Sequence, residues 1–194
     1  MRILICAPQR TGSSTLLNWI YKETKLIPIF EPFNKVDIGD PRSFNNNWID
    51  DYDDFIKMDG YVTKILVHVI DQRKELIPLD DKFFIHFTKV IVLHRENIRD
   101  QSISKVIAEN ILGNHMINYK YDDVKNYIDE NLVNDWEKMF EENNLYVSNL
   151  KNNCNHFTYE EIYVRKEYGR LCEYLGIGDP KYLHLLDQTN RYRK

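Results

Sequence analysis

The sequence predicts an α/β protein of three layers, with a central parallel sheet flanked by helices. Two patterns predict it. The runs at 3–7 and 89–94 are apolar and rich in branched residues without alternation, as strands buried on both faces are. Helical spacing follows each of them, with Leu16, Leu17, Trp19 and Ile20 after the first and residues 96–112 after the second. Strands that alternate with helices imply parallel pairing through right-handed crossovers. A chain of 194 residues fits one domain, 1–194, with a substantial core.

Composition narrows the class. Hydrophobic residues make up 43% and charged residues 29%, ordinary for a globular protein. The net charge of −4 gives no overall attraction for nucleic acid, and no basic stripe supplies a local one. Cys6, Cys154 and Cys172 are too few and too scattered for a disulfide framework or a zinc site. Cys6, inside the first strand, reads as a small buried hydrophobe. No apolar run approaches the ~20 residues of a membrane span. The chain enters its first strand almost at Met1, with no signal-peptide pattern, so the expected compartment is the cytoplasm.

The first strand leads through Pro8 into Arg10, Thr11, Gly12, Ser13, Ser14 and Thr15, and then into a helix. Gly12 lets the backbone approach an anion. Four hydroxyls and the free N–H groups of the helix start can donate to it, and Arg10 adds a planar, fixed positive charge. Hydroxyls before an apolar run also serve as plain helix caps, but a cap needs only one of them. The order is P-loop-like. The triphosphate signature G-x-x-x-x-G-K-[ST] is nevertheless not met: no Lys follows Gly12 and no Gly stands five residues before it.

The first helix ends near Thr24, and 26–30 is a short strand or extended segment. Pro32 turns Glu31 away from the helical region. Residues 34–60 are polar, with isolated aromatics, and read as a surface excursion able to shape a substrate site. Residues 61–69 form the next strand, which carries Lys64 and His68. Residues 71–78 read as a brief helix before Pro78. The strand 89–94 delivers Arg95 at its carboxyl end, where open α/β sheets bind ligands. The helix 96–112 then carries Ser104, with Ser102 as the alternative hydroxyl. Arg and a hydroxyl together suit a second phosphate. Val124, Ile128, Leu132, Trp136 and Phe140 repeat every four residues, with Tyr127 and Met139 beside them, which predicts one long amphipathic helix over 121–142. A strand at 156–159 and a helix at 163–175, ended by Gly176, complete the pattern. The tail 179–194 is mostly polar.

Three stretches resemble the sulfotransferases that use 3′-phosphoadenosine 5′-phosphosulfate (PAPS). P-x-R-[ST]-G-[ST]-[ST]-x-L after the first strand is similar to their 5′-phosphosulfate loop. Arg95 with Ser104 nine residues on, in the form R-E-N-x-x-x-Q-x-x-S, resembles their 3′-phosphate motif, most closely in the style of bacterial carbohydrate enzymes. Phe157-Thr158-Tyr159-Glu160-Glu161-Ile162, with Tyr174-Leu175-Gly176-Ile177, resembles their Y-E-D-L … F-L-G-L ending. The resemblance does not reach 34–60 or 121–142.

It implies sulfonyl transfer from PAPS to a hydroxyl of a carbohydrate or glycoconjugate, releasing 3′,5′-diphosphoadenosine (PAP). Arg10, Thr11, Gly12, Ser13, Ser14 and Thr15 would hold the 5′-phosphosulfate, and Arg95 and Ser104 the 3′-phosphate. Glu31 is the favoured base and His68 its rival, while Lys64 would approach the sulfonyl group. Many relatives have Lys where Arg10 stands, and Arg does not readily give up a proton, so Arg10 would act by charge. No metal is implied, because the sequence has no cluster of metal-ligand spacing. Acceptor choice would rest on 34–60 and 112–125, where no motif speaks, and oligomeric state is unreadable. The alternatives are a small-molecule kinase of the P-loop class, or a catalytically silent nucleotide-binding protein of the same fold.

Overall fold

The computed structural model describes residues 1–32, 52–67, 81–111, 121–150 and 154–192. His68, most of the polar excursion and the helix expected at 71–78 lie outside the described residues.

Strand β1 (Arg2–Ala7) runs into helix α1 (Ser13–Thr24), and β2 (Ile27–Phe30) follows. Helix α2 (Tyr52–Lys57) precedes β3 (Tyr61–Leu66), and α3 (Asp81–Phe84) precedes β4 (Lys89–His94). Helix α4 (Ile98–Val106) continues as a π-helical turn over Ile107–Ile111. A short helix α5 (Tyr121–Val124) is followed by the long α6 (Glu130–Ser148), β5 (Cys154–Thr158), a π turn (Glu160–Val164) and α7 (Gly169–Leu175). A 3-10 segment, Leu183–Tyr192, ends the described chain.

All strand pairs are parallel, in the order β2-β3-β1-β4-β5. The expected parallel three-layer α/β fold is therefore the observed one. Side chains of β1 alternate between the two faces. Ile3, Ile5 and Ala7 pack with Leu16, Trp19, Phe157 and Leu171 on one side. Leu4 and Cys6 pack with Phe55, Phe83, Val92 and Val147 on the other. Each fully buried large side chain contributes about 1.5–3 kcal/mol. Cys6 is fully buried, and desolvation pushes its thiol up to about 12, so it behaves as the inert hydrophobe expected.

Several boundaries differ from the sequence reading. The helix expected over 121–142 is broken at Ile128, whose backbone is extended, and restarts at Asp129. Asp129 accepts a bond from the Asn131 N–H and so caps a new helix, and this local cap outweighs the four-residue repeat. The buried stripe of α6 is Val133, Phe140 and Val147, and Tyr127 is exposed. Asn97 caps α4 through the Asp100 N–H, so that helix begins two residues later than 96. Strand β3 stops at Leu66. The expected helix 163–175 divides into the π turn and α7, with Lys166 between them at φ 60. Gly176, at φ 75, ends α7 as expected, its N–H bonding back into the helix. The polar tail is not all solvated, since Leu186 is fully buried in the core.

Candidate functional site

The carboxyl ends of the five described strands meet at one edge of the sheet. β2 is followed there by Glu31 and β3 carries Lys64 near its end. β1 opens into the loop 8–12, β4 is followed by Arg95, and β5 by Tyr159 and Glu160. In this strand order the chain leaves β1 toward β2 on one side and leaves β4 toward β5 on the other, so the order reverses between β1 and β4, and ligands bind at such a switch point.

The loop turns on two left-handed residues, Arg10 at φ 63 and Gly12 at φ 78. Gly12 is required twice over. A Cβ there would be strained by its φ and would lie 2.5 Å from Cε2 of Tyr163. Helix α1 starts at Ser13 and no side chain caps it, so its first N–H groups stand at the end of the loop with the positive pole of the helix.

Two cation–hydroxyl pairs join the strand ends. The Lys64 ammonium, buried within the sheet edge, donates to Ser14 Oγ at 2.7 Å and pairs with Glu31 Oε1 at 2.6 Å. Arg10 Nε and Nη2 both donate to Ser104 Oγ, at 3.1 and 2.9 Å. Ser104 is thus brought to the first loop, while the alternative hydroxyl, Ser102, is buried and donates to Ile98 O in its own helix. Thr11 is fully buried and donates to Pro8 O, so its hydroxyl shapes the loop. Ser13 is buried, and Ser14 and Thr15 are more accessible.

Arg95 is only 6% exposed. Its guanidinium lies 4.3 Å from the centroid of the Tyr159 ring, 3.7 Å from the carboxylates of Asp100 and Glu160, and within 3.4 Å of Arg10 O. Glu160 also accepts from the N–H groups of Glu96 and Asn97 at 2.9 and 3.3 Å, tying β5 to the start of α4. Arg99 instead faces away, exposed and paired with Glu130 and Glu137 of α6. Glu31 has φ 44, so Pro32 excludes the right-handed helix without imposing extended backbone.

The sequence reading carries Gln101 only as the Q of R-E-N-x-x-x-Q-x-x-S, with no role given to it, and does not single out Lys105 or Tyr163. Gln101 is fully buried and its Nε2 donates to Gln9 O at 2.6 Å. Lys105 bonds to the side chains of Gln9 and Glu109 and lies over the Trp136 ring. Tyr163 is fully buried and donates to Gly12 O at 2.7 Å. Burial, and then the neighbouring Tyr159 and Tyr168, hold its phenol well above the ordinary value, so it stays a donor. The available signal for Gln101 is the motif that holds it, and for Tyr163 its place just after the stretch 157–162 that carries the third resemblance.

Chemically, the edge offers helix N–H groups, hydroxyls and the cations Arg10, Lys64 and Arg95, with the carboxylate of Glu31 beside Lys64 and those of Asp100 and Glu160 beside Arg95. This donor set suits a polyanion. Among the described residues no group of His, Cys, Asp and Glu is arranged to hold a metal ion.

No protein-family model and no curated protein sequence matches the chain. Among solved structures, mouse sulfotransferase SULT7A1 complexed with PAP superposes with a TM-score of 0.53 at 13% identity, over 98% of this chain and 63% of that one. Retinol dehydratase in complex with androsterone and the inactive cofactor PAP gives 0.50 at 12% identity, over 98% and 64%. The chain has the sulfotransferase fold. It spans just under two thirds of the length of these two fold neighbours. The YorR protein of Bacillus subtilis, in complex with phosphorylated GDP, aligns over 89% of this chain and 96% of its own at 16% identity, with a TM-score of 0.47. No described helix is long and apolar enough to cross a membrane.

Proposed function

We propose that the protein transfers a sulfonyl group from PAPS to a hydroxyl of a carbohydrate or glycoconjugate. The observation that carries the reading is the pair of cation–hydroxyl contacts, Lys64–Ser14 and Arg10–Ser104, on adjoining strand ends. They link a loop suited to one phosphate with an Arg–Ser set suited to another, and a carboxylate adjoins them. PAP-bound neighbours of the same fold support it.

In this reading PAPS supplies an activated sulfonyl group, and the acceptor oxygen displaces the 5′-phosphate oxygen at sulfur in line. Arg10, Ser14, Thr15 and the N–H groups around Gly12 and Ser13 bind the 5′ end and stabilise the leaving phosphate by charge and hydrogen bonding. Arg95 and Ser104 hold the 3′-phosphate. Glu31 takes the acceptor proton. Lys64 orients Glu31 through their 2.6 Å contact and stands ready for the sulfonyl oxygens. His68 remains the rival base. The acceptor is chosen by residues within 34–60 and 112–125.

Calorimetric titration with PAP, against ATP plus magnesium, tests the donor class. The expected result is clear preference for PAP, with Arg95→Ala weakening PAP by about 10–100-fold, the worth of a charge-assisted bond. The same substitution should change 5′-AMP binding far less. Equal losses would remove Arg95 from the 3′-phosphate site. Preference for ATP would favour the kinase reading, and binding of neither nucleotide a silent fold.

A further inference from the structure

The carbonyl groups of the anion loop are tied down by side chains. Pro8 O accepts from Thr11 Oγ1 at 2.9 Å and Gln9 O from Gln101 Nε2 at 2.6 Å. Arg10 O accepts from Arg95 Nη1 at 3.4 Å and Gly12 O from the Tyr163 hydroxyl at 2.7 Å. In a planar trans peptide the C=O of one residue and the N–H of the next point in opposite directions. Each tie therefore fixes the aim of an N–H: those of Gln9, Arg10, Thr11 and Ser13. Backbone donors held in this way need no reorganisation when an anion arrives.

Two of the ties come from residues outside the loop that carry no charge and are fully buried, Gln101 on α4 and Tyr163 in the π turn after β5. Gln101 holds the peptide just before Arg10, whose left-handed φ of 63 is costly for a residue with a side chain. Tyr163 holds the peptide joining Gly12 to α1, and its ring fills the space behind Gly12, 2.5 Å from where a Cβ would stand. That ring packs against Tyr159 at 4.9 Å, and Tyr159 carries the Arg95 guanidinium. The back of the loop is thereby continuous with Arg95.

We propose that Gln101 and Tyr163 are positioning residues that preset the anion loop for the 5′ end of the nucleotide donor. The inference rests on the sulfonyl-donor reading above for the identity of that donor, and on the loop geometry for the roles themselves. Neither residue touches the ligand. Each acts through the peptide that it orients.

The test compares Tyr163→Phe and Gln101→Met with the unaltered chain, by titration with PAP, 5′-AMP, 3′-AMP and ATP plus magnesium. Phe keeps the ring, and Gly12 O keeps its bond from the Leu16 N–H at 3.0 Å, so the fold is retained. Met keeps the length of Gln101 and drops both polar ends. Each substitution should weaken 5′-AMP by about 3–10-fold, the worth of one net hydrogen bond or a little more, and leave 3′-AMP within about twofold. A merely structural role would lower both monophosphates together. Equal losses, or none, would overturn the proposal. An unaltered chain that prefers ATP, yet loses 5′-phosphate affinity selectively in both variants, would overturn the sulfonyl-donor reading and leave the positioning role standing. An unaltered chain that binds no 5′-phosphate would overturn both.

Discussion

Glu31 shows how much of the site turns on single residues. Its carboxylate is mostly buried at the end of β2, 2.6 Å from a Lys64 ammonium that is itself almost wholly buried. A cation so placed needs a counter-charge, and a carboxylate so placed needs a donor, so each explains the other's position. Lys64 was legible as an anomaly, a charge inside an apolar strand. The register sets Lys64 against Phe30 on β2 and Ile5 on β1, so the chain just past Phe30 brings Glu31 to it. Glu31→Gln removes the basic oxygen and keeps the shape. If Glu31 is the base, turnover should fall by 10²-fold or more, about the contribution of general base catalysis, with PAP affinity nearly unchanged. Steady-state rates beside calorimetry would show this. Full activity in that variant would move the base role to His68.

At the scale of elements, local capping decided boundaries that periodicity had blurred. The apolar repeat over 121–142 is real in the sequence, but Ile128 is extended and Asp129 receives the Asn131 N–H at 2.9 Å. The core then takes Val133, Phe140 and Val147 from α6, a spacing of seven, two helical turns, that keeps one side of the helix buried, chiefly against α4. Asp129→Ala should cost about 0.5–2 kcal/mol, a fall in Tm of ~2–4 °C per kcal/mol in a chain of this size. Asp129→Asn, which can still cap, should keep most of the stability. Equal melting temperatures for all three chains would show that packing of α6, and not its cap, sets the start. The strands were easier to read than the helices, because unbroken apolar runs such as 3–7 and 89–94 have one physical meaning in a two-sided sheet. The helix limits depended on hydrogen bonds between a side chain and the backbone two or three residues away, which compete closely with periodicity.

Across the whole molecule, the charged part of the edge was legible and its support was not. Arg10, Lys64 and Arg95 stand out in sequence because cations beside buried strands call for anions. Gln101 and Tyr163 lie in ordinary helical surroundings, and their contacts with the loop emerge only when residues 92 and 151 positions apart in sequence meet there. His94 is a further property that emerges only from the assembled sheet. It ends β4 beside Arg95, half-buried, with its ring 6.4 Å from that of His156 on β5. Desolvation first, and repulsion by His156 second, hold its pKa below the ordinary 6.5, against weaker opposition from Glu96, Glu160 and Glu161. The sign follows from linkage. With the folded value below the unfolded one, the unfolded chain binds the proton first as pH drops, so stability is full above about 6.5 and declines as pH falls from there toward the folded value. Asp59 and Asp187, both held below the ordinary 3.8, keep their contribution until more acid conditions and do not act in this window. Solvent around the half-buried ring limits the effect, so Tm should fall modestly between pH 7 and pH 5. Thermal unfolding across that range, on the unaltered chain and on His94→Gln, checks it. The substituted chain should show a flatter profile, and an identical decline in both would place the titrating group elsewhere in the molecule.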